Sequence, residues 1–145
     1  MRLPVISAVA IVIATAVFAC GPHSRARGPQ PETGERHFGA IRQLTFGGQN
    51  AEAYFSHDGK RLIFQSTRDG RPCDQQYVMN VDGGGVRRVS TGRGKTTCGY
   101  FSDGDRRIFF GSTHAADSAC PPRPDPSKGY VWGLDPYDIY TANDD

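Results

Sequence analysis

Hydrophobic and polar positions divide the chain into three stretches with different patterns. From Leu3 to Phe18 the residues are almost all apolar and none is charged. Residues 20–36 are rich in Pro, Gly, Arg and Ser and show no apolar period. From residue 37 to 145, short aromatic and β-branched runs alternate with segments that contain Gly and Asp, a pattern typical of short β-strands joined by turns.

The third stretch begins with four predicted strands. Ala53–Ser56 and Leu62–Ser66 flank the segment His57-Asp58-Gly59-Lys60. An Asp-Gly pair between two such runs predicts a hairpin, because Gly accepts the positive φ that the turn requires. Gln76–Val81 and Val86–Ser90 are the third and fourth strands, joined by a Gly-rich turn. We expect these four strands to form one antiparallel sheet.

The same pattern occurs twice, at a spacing of about 46 residues. Residues 42–67 align without a gap on residues 88–113, so that Tyr54-Phe55-Ser56 recurs as Tyr100-Phe101-Ser102. The third strand has a weaker echo in residues 139–145, after about 17 additional residues. The second copy of the pattern stops before a fourth strand.

Four antiparallel strands in about 45 residues are typical of one blade of a β-propeller. The sequence therefore predicts an all-β fold, a partial β-propeller of about two four-stranded antiparallel blades. Blade 1 covers about 51–91, and blade 2, which is incomplete, covers about 97–145 with an insertion at 114–136. Residues 37–145 thus form the propeller part, behind a flexible linker at 20–36.

The motifs of this repeat resemble those of the TolB-type, WD-like propeller repeat. Ser56-His57-Asp58-Gly59, followed by Leu62-Ile63-Phe64, is similar to the pattern S-P-D-G-x-x-I-x-F of that family, with His57 in place of the proline. Tyr77–Gly83 is similar to its pattern I-Y-V-M-N-x-D-G. In the second copy, Ser102-Asp103-Gly104 has its Asp-Gly pair one residue early, which predicts an altered turn or bulge.

The resemblance implies a non-catalytic binding or scaffold module whose partners are envelope proteins or a cell-wall component. Similar propellers precede the catalytic domain of prolyl-oligopeptidase-type hydrolases, so the alternative is the gating part of such an enzyme. Two blades would leave sheet edges and apolar faces open. We therefore expect a fragment of a longer TolB-like propeller or, as the alternative, a ring completed from several chains.

Residues 1–19 have the features of a secretory signal peptide. Arg2 supplies a positive charge, an uncharged apolar run of roughly 15 residues follows, and the small residue Ala19 precedes Cys20. A membrane-spanning helix requires about 20 apolar residues, and this run is shorter. We therefore expect the chain to be exported.

Val17-Phe18-Ala19-Cys20 resembles the lipobox of bacterial lipoproteins. The resemblance implies that the Cys20 thiol is lipidated, that the chain is cut before it, and that Gly21 directs the protein to the outer membrane. Ordinary cleavage after Ala19, which leaves an unmodified thiol, is the alternative. We expect the protein on the periplasmic side of a bacterial envelope, in contact with the membrane through its lipid anchor only.

Three further cysteines, Cys73, Cys98 and Cys120, would meet an oxidising compartment, where disulfides are permitted. One pair can form, and one thiol remains. We expect a pair that contains Cys98, with Cys120 as the first choice of partner and Cys73 as the second, and the spacing leaves both open. A metal site built from these thiols and His114 is not predicted, because there is no C-x-x-C pair.

The insertion at 114–136 is the most distinctive segment of the second copy. Prolines stiffen it between residues 121 and 126, and loops on a rigid scaffold are where binding residues concentrate. Aromatic and arginine side chains dominate contact energies. The insertion is therefore a candidate binding loop, although packing of the aromatic residues onto their own blade is the favoured interpretation. Its candidate residues are His114, Arg123, Tyr130 and Trp132.

Composition and motifs exclude several other classes of function. The 17 Lys and Arg residues against 15 Asp and Glu residues give a net charge of +2, and both signs are scattered, so nucleic-acid binding is not predicted. The sequence contains neither G-x-S-x-G nor H-E-x-x-H. We therefore predict no catalytic residue and no cofactor.

Overall fold

The computed structural model describes residues 33–129 and 133–144, which form two antiparallel β-sheets. Sheet A has the strand order β1-β2-β3-β4 and sheet B has the order β5-β6-β7. A short 3₁₀ helix, Pro126–Lys128, lies in the insertion before the last strand. The strands are β1 (Gln49–Phe55), β2 (Arg61–Thr67), β3 (Gln75–Asn80), β4 (Arg87–Arg88), β5 (Thr96–Ser102), β6 (Arg107–Ser112) and β7 (Asp138–Asn143).

The predicted all-β fold with a four-stranded first sheet is confirmed, and the second sheet has three strands in the described residues. β4 is shorter than the predicted strand 86–90, and it pairs with β3 only through Tyr77↔Arg88 and Val78↔Arg87. Beyond Arg88 the Val89 amide still donates to the Gln76 carbonyl at 2.9 Å, but the Gln76 amide donates to the Ser90 hydroxyl at 3.0 Å, so a side chain takes one of the two backbone positions of the ladder there.

The two sheets repeat each other in register. Position by position, the pairing of β2 with β3 corresponds to the pairing of β6 with β7. The shared register means that both copies of the sequence pattern form the same three-stranded unit. The corresponding pairs at the two ends of the ladders are Arg61↔Asn80 with Arg107↔Asn143, and Ser66↔Gln75 with Ser112↔Asp138.

Both first strands contain a bulge at the same place. The register shifts between Ala51 and Tyr54 in β1 and between Thr97 and Tyr100 in β5. Within the bulges, Glu52 has a φ of 50° and Cys98 has a φ of 51°. A bulge inserts one extra residue and changes the direction of the side chains beside it.

Glycine occupies the same position ahead of both sheets. Gly48 has a φ of 74° and Gly94 has a φ of 62°, a region that favours glycine. A Cβ atom at Gly48 would lie 2.6 Å from the Thr67 carbonyl oxygen, and one at Gly94 would lie 2.7 Å from the Thr113 hydroxyl oxygen. These glycines let the chain pass closely over the end of the second strand of each sheet.

The core consists of two clusters because side chains alternate across a strand. The outer cluster lies on one face of β2 and β3, where Leu44 and Val81 pack against it. The inner cluster lies between the sheets, where β2 and β3 meet β6. The outer cluster is Leu62, Phe64, Tyr77 and Met79, and the inner cluster is Ile63, Val78, Ile108 and Phe110.

The sheets stack face to back. Ile108 and Phe110 of sheet B hold the positions that Leu62 and Phe64 hold in sheet A, and they pack against the opposite face of sheet A. One face of sheet B is thereby covered, whereas its other face carries the exposed side chain of Phe109. We call that second surface the open face of sheet B.

The turn between β5 and β6 is altered, as predicted from its early Asp-Gly pair. Asp103, Gly104 and Asp105 have φ values of 51°, 60° and 67°, whereas Gly59 has a φ of 69° in the corresponding turn of sheet A. Asp105 therefore takes the left-handed position of Gly59, which Asp tolerates better than most residues do.

The predicted signal peptide 1–19, the lipidation site Cys20 and the linker up to residue 32 lie outside the described residues. Within residues 33–129 and 133–144, no helix has the length and apolar character needed to cross a membrane.

Candidate binding site at the insertion

A disulfide joins Cys73, in the loop between β2 and β3, to Cys120, in the insertion between β6 and β7. Their Cα atoms are 5.9 Å apart. The predicted pairings of Cys98 with Cys120 or with Cys73 are therefore wrong, and Cys98 is a free, exposed thiol in the described part of the chain. The physical reason is the bulge in β5, which contains Cys98 at a φ of 51° and leaves its side chain exposed.

A pocket of about 170 Å³ lies beside this disulfide. Pro72 and Pro121, Pro122 and Pro124 of the insertion form much of its wall, and Arg123 lines it as an exposed residue. Proline fixes its own φ, so a wall of this kind loses little conformational entropy when a ligand binds. We call this cavity the proline pocket.

Asp74 and Lys95 also line the proline pocket. The Asp74 carboxylate accepts hydrogen bonds from the Thr67 hydroxyl at 2.5 Å and from the Gln65 amide at 3.1 Å. Lys95 Nζ lies 3.1 Å from Asp135 Oδ2. Burial by itself lowers the pKa of Lys95, but the hydrogen bonds to Asp135 and Tyr137 outweigh it, and the pKa is raised. Lys95 is therefore a charged and paired wall residue.

His114, a predicted binding-loop residue, takes part in packing. Its ring lies 4.2 Å from the Tyr140 ring, and its Nδ1 lies 2.7 Å from the Ser112 hydroxyl. Arg68 makes the corresponding two contacts in sheet A. Its guanidinium lies 5.3 Å from the Tyr77 ring, and its Nε donates to a serine hydroxyl. His114 thus has the packing role in sheet B that Arg68 has at the corresponding position of sheet A. Arg123, by contrast, lines the proline pocket.

The predicted binding residues Tyr130 and Trp132 lie outside the described residues.

Ser112 and His114 are hydrogen-bonded, but Ser112 is buried and also accepts from the His114 amide nitrogen at 3.3 Å. These hydrogen bonds lie at the end of β6, and the buried Ser112 hydroxyl is not exposed to solvent as a nucleophile. In the part of the chain that the structure describes, no three His, Cys, Asp or Glu side chains gather where they could hold a metal ion.

Two aspartates connect the sheets. The Asp105 carboxylate accepts hydrogen bonds from the backbone amides of His57 at 2.6 Å and Asp58 at 2.9 Å, in the turn of sheet A. The buried Asp144 carboxylate pairs with Arg61 and Arg87 of sheet A. Both contacts join residues far apart in sequence, so the local pattern contained no signal for them.

A row of aromatic rings follows the first strands of the two sheets. The Tyr54 and Tyr100 ring centroids are 4.1 Å apart, and those of Tyr100 and Phe109 are 5.7 Å apart. The Tyr54 hydroxyl donates to Glu52, which raises the pKa of Tyr54 well above its ordinary range. β1 and β5 therefore lie side by side.

No protein-family model matches the chain.

Proposed function

We propose that this chain is a non-catalytic binding module built from neighbouring blades of a TolB-like propeller. The observation that supports it best is the face-to-back stacking of two sheets with the same register, which places the first strands β1 and β5 side by side. Neighbouring blades of a propeller are arranged in this way around the central channel.

The proline pocket and the insertion are the proposed binding surface. The Cys73–Cys120 disulfide holds the insertion against the loop between β2 and β3, so the pocket wall is joined to both sheets. A prearranged loop loses less conformational freedom on binding than a mobile one. Arg123, together with Tyr130 and Trp132 of the same loop, supplies the residue types that contribute most to contact energies.

The proposed setting is the periplasmic side of a bacterial envelope. The signal-like residues 1–19, the lipobox-like Cys20 and the linker would tether the two sheets to the outer membrane through lipid alone. The partners we propose are envelope proteins or a cell-wall component, and a binding module needs no cofactor.

Capture experiments on the exported chain test this proposal. The immobilised protein is exposed to purified peptidoglycan sacculi and, separately, to detergent-solubilised outer-membrane proteins. We expect one of the two to be retained, and the retained amount to fall at least about tenfold in Arg123→Ala and in the double variant Tyr130→Ala, Trp132→Ala, which corresponds to about 1.4 kcal/mol of binding energy.

Arg106→Ala is the matched control, since Arg106 is an exposed arginine of the turn between β5 and β6, away from the pocket. Retention by this variant should equal that of the wild type. Failure of the wild type to retain either probe, or equal retention by all variants, would contradict the proposed binding surface.

A further inference from the structure

The charged side chains that line the proline pocket differ in how they are paired. Lys95 Nζ lies 3.1 Å from Asp135 Oδ2, so these two charges offset each other. Asp74 and Arg123 line the same pocket, and in the described part of the chain no ion pair includes either of them. The pocket therefore presents one carboxylate and one guanidinium whose charges are not offset by a neighbour.

The Asp74 carboxylate is held in place by neutral donors. Its Oδ1 accepts from the Thr67 hydroxyl at 2.5 Å, and its Oδ2 accepts from the Gln65 amide at 3.1 Å. A carboxylate has about four acceptor positions, so about two remain for a ligand. Because Asp74 is half-buried and fixed, a cationic donor that reaches it forms charge-assisted hydrogen bonds without reordering the side chain.

Arg123 and the wall of the pocket supply the complementary features. Arg123 is exposed on the insertion, and a guanidinium pairs with a carboxylate through two parallel hydrogen bonds. Much of the remaining wall is apolar and can cover an alkyl chain. It consists of the Cys73–Cys120 disulfide and the prolines Pro72, Pro121, Pro122 and Pro124.

The size of the pocket limits what it can hold. Its volume of about 170 Å³ is below the range of about 300–1,000 Å³ that is typical of pockets for whole small molecules. It corresponds to about six water molecules in the liquid, and so to a group of about six non-hydrogen atoms. A lysine-type side chain, an alkyl stem that ends in an ammonium group, has this size.

We infer that the proline pocket binds the end of a peptide whose last residue is a lysine-type diamino acid with a free carboxylate. The side-chain ammonium group donates to Asp74, the alkyl stem lies against the prolines, and the free carboxylate pairs with Arg123. This inference rests on the proposed function, since it names the ligand chemistry of the same pocket.

Ligands with only one of these features fit the pocket less well. A purely anionic group would lie near the Asp74 carboxylate, while Lys95 is already engaged by Asp135. A purely apolar group would cover Asp74 without replacing the hydrogen bonds that its carboxylate makes with water, which is unfavourable. A ligand that carries both charges at the ends of an alkyl chain avoids both costs.

Small probes test the inference on the exported chain. ε-Aminocaproate carries the ammonium group, the alkyl chain and the carboxylate, whereas pentylamine lacks the carboxylate and caproate lacks the amine. Each probe is titrated at neutral pH into the isotope-labelled protein, and the amide chemical shifts are followed. We expect saturable shifts at Thr67 and Asp74 with a Kd of about 1 mM for ε-aminocaproate, weaker binding of pentylamine, and caproate binding at least about tenfold weaker.

Two substitutions separate the two charges of the pocket. Asp74→Asn removes the negative charge but keeps an acceptor for the Thr67 hydroxyl, and it should weaken ε-aminocaproate and pentylamine alike, by at least about tenfold. Arg123→Ala should weaken ε-aminocaproate and leave pentylamine unchanged. Asp103→Asn and Arg106→Ala are the matched controls, since both residues are exposed in the turn between β5 and β6, and they should bind every probe as the wild type does.

The outcomes decide between the inference and the proposed function. Absence of saturable shifts in the wild type, equal binding of caproate and ε-aminocaproate, or unchanged binding in Asp74→Asn would overturn the inference. Should Asp74→Asn fail to fold in urea unfolding, the contrast between the two amine probes in Arg123→Ala still tests it. If the probes fail while sacculi or membrane proteins are still retained through Arg123, the inference is wrong and the proposed binding surface stands.

Discussion

Sheets A and B have the same register, but their corresponding residues differ in burial. Ile63 is 0% exposed in sheet A, whereas Phe109 at the same position of sheet B is 37% exposed. Gln76 is fully buried in sheet A, whereas its counterpart Ile139 is 74% exposed. An exposed apolar residue of sheet B thus corresponds in each pair to a buried residue of sheet A.

The difference shows that the neighbouring sheet, and not the strand itself, determines burial. Sheet A is covered on one face by sheet B and on the other by Leu44 and the side chain of Arg68, whose guanidinium lies 5.1 Å from the Phe64 ring. Among the described residues, sheet B is covered by a sheet on one face only. An exposed apolar face of this kind marks an interaction surface.

The largest expected effect on stability is the difference between alanine substitutions at the corresponding positions 63 and 109. Ile63→Ala should lower the free energy of unfolding by about 2–5 kcal/mol, since it leaves a cavity between the sheets. Phe109→Ala should lower it by about 1 kcal/mol or less in dilute solution, because the Phe109 side chain is already 37% exposed, with its ring 5.7 Å from that of Tyr100. Urea unfolding of the two variants measures both values. Similar losses would mean that sheet B is covered in solution by something other than sheet A.

The disulfide is the covalent connection between the two regions, and its removal should have the next largest effect. It closes a loop with a sequence separation of 47 residues. The double variant Cys73→Ser, Cys120→Ser should lose about 2–4 kcal/mol of stability, chiefly because the unfolded chain regains freedom. Cys98→Ser is the control and should stay within about 0.5 kcal/mol of the wild type. If the control lost as much as the double variant, Cys98 would have a structural role that its exposure does not indicate.

The smallest expected effect is on the loss of stability at alkaline pH, and it depends on a tyrosine of sheet A. Burial and the hydrogen bond that Tyr77 donates to Asp69 at 2.9 Å raise the pKa of Tyr77 above 10.0. The folded state therefore keeps this proton at pH values where the unfolded state loses it, and the stabilisation, present below about pH 10, declines as pH rises further. Tyr77→Phe should reduce the slope of stability against pH above about pH 10, and urea unfolding at each pH measures it.

Asp69→Asn is the companion variant for this measurement. It removes the negative charge beside the hydroxyl but keeps an acceptor, so it should reduce the slope less than Tyr77→Phe does. Lys95, whose pKa is also raised, remains in both variants and contributes in the same direction. An unchanged slope in both variants would show that Tyr77 does not contribute to the alkaline loss of stability.

Much of the fold could be predicted from the sequence because its signals are local. The Asp-Gly pair at residues 58 and 59 predicted the hairpin between β1 and β2, and the structure places Gly59 at a positive φ. The early Asp-Gly pair at 103 and 104 predicted the altered turn of sheet B. Short apolar runs rich in aromatic and β-branched residues also predicted β2 and β3 to within one residue at each end.

The candidate site was less predictable because its parts are distant in sequence. The insertion was identified by its prolines, and Arg123 does line a pocket there, but His114 belongs to the packing of sheet B. The cysteine pairing depended on the bulge in β5, which turns Cys98 outward, and spacing alone contains no information about a bulge.

By itself, the sequence determined where strands and tight turns lie and that the pattern occurs twice. These features depend on φ preferences and side-chain alternation within a few residues of each position. Only the tertiary structure decided which face of each sheet is buried, that Cys73 meets Cys120, and that Asp105 joins the turn of sheet A. The reason is that each of these depends on groups brought together from distant parts of the chain, where no local preference acts.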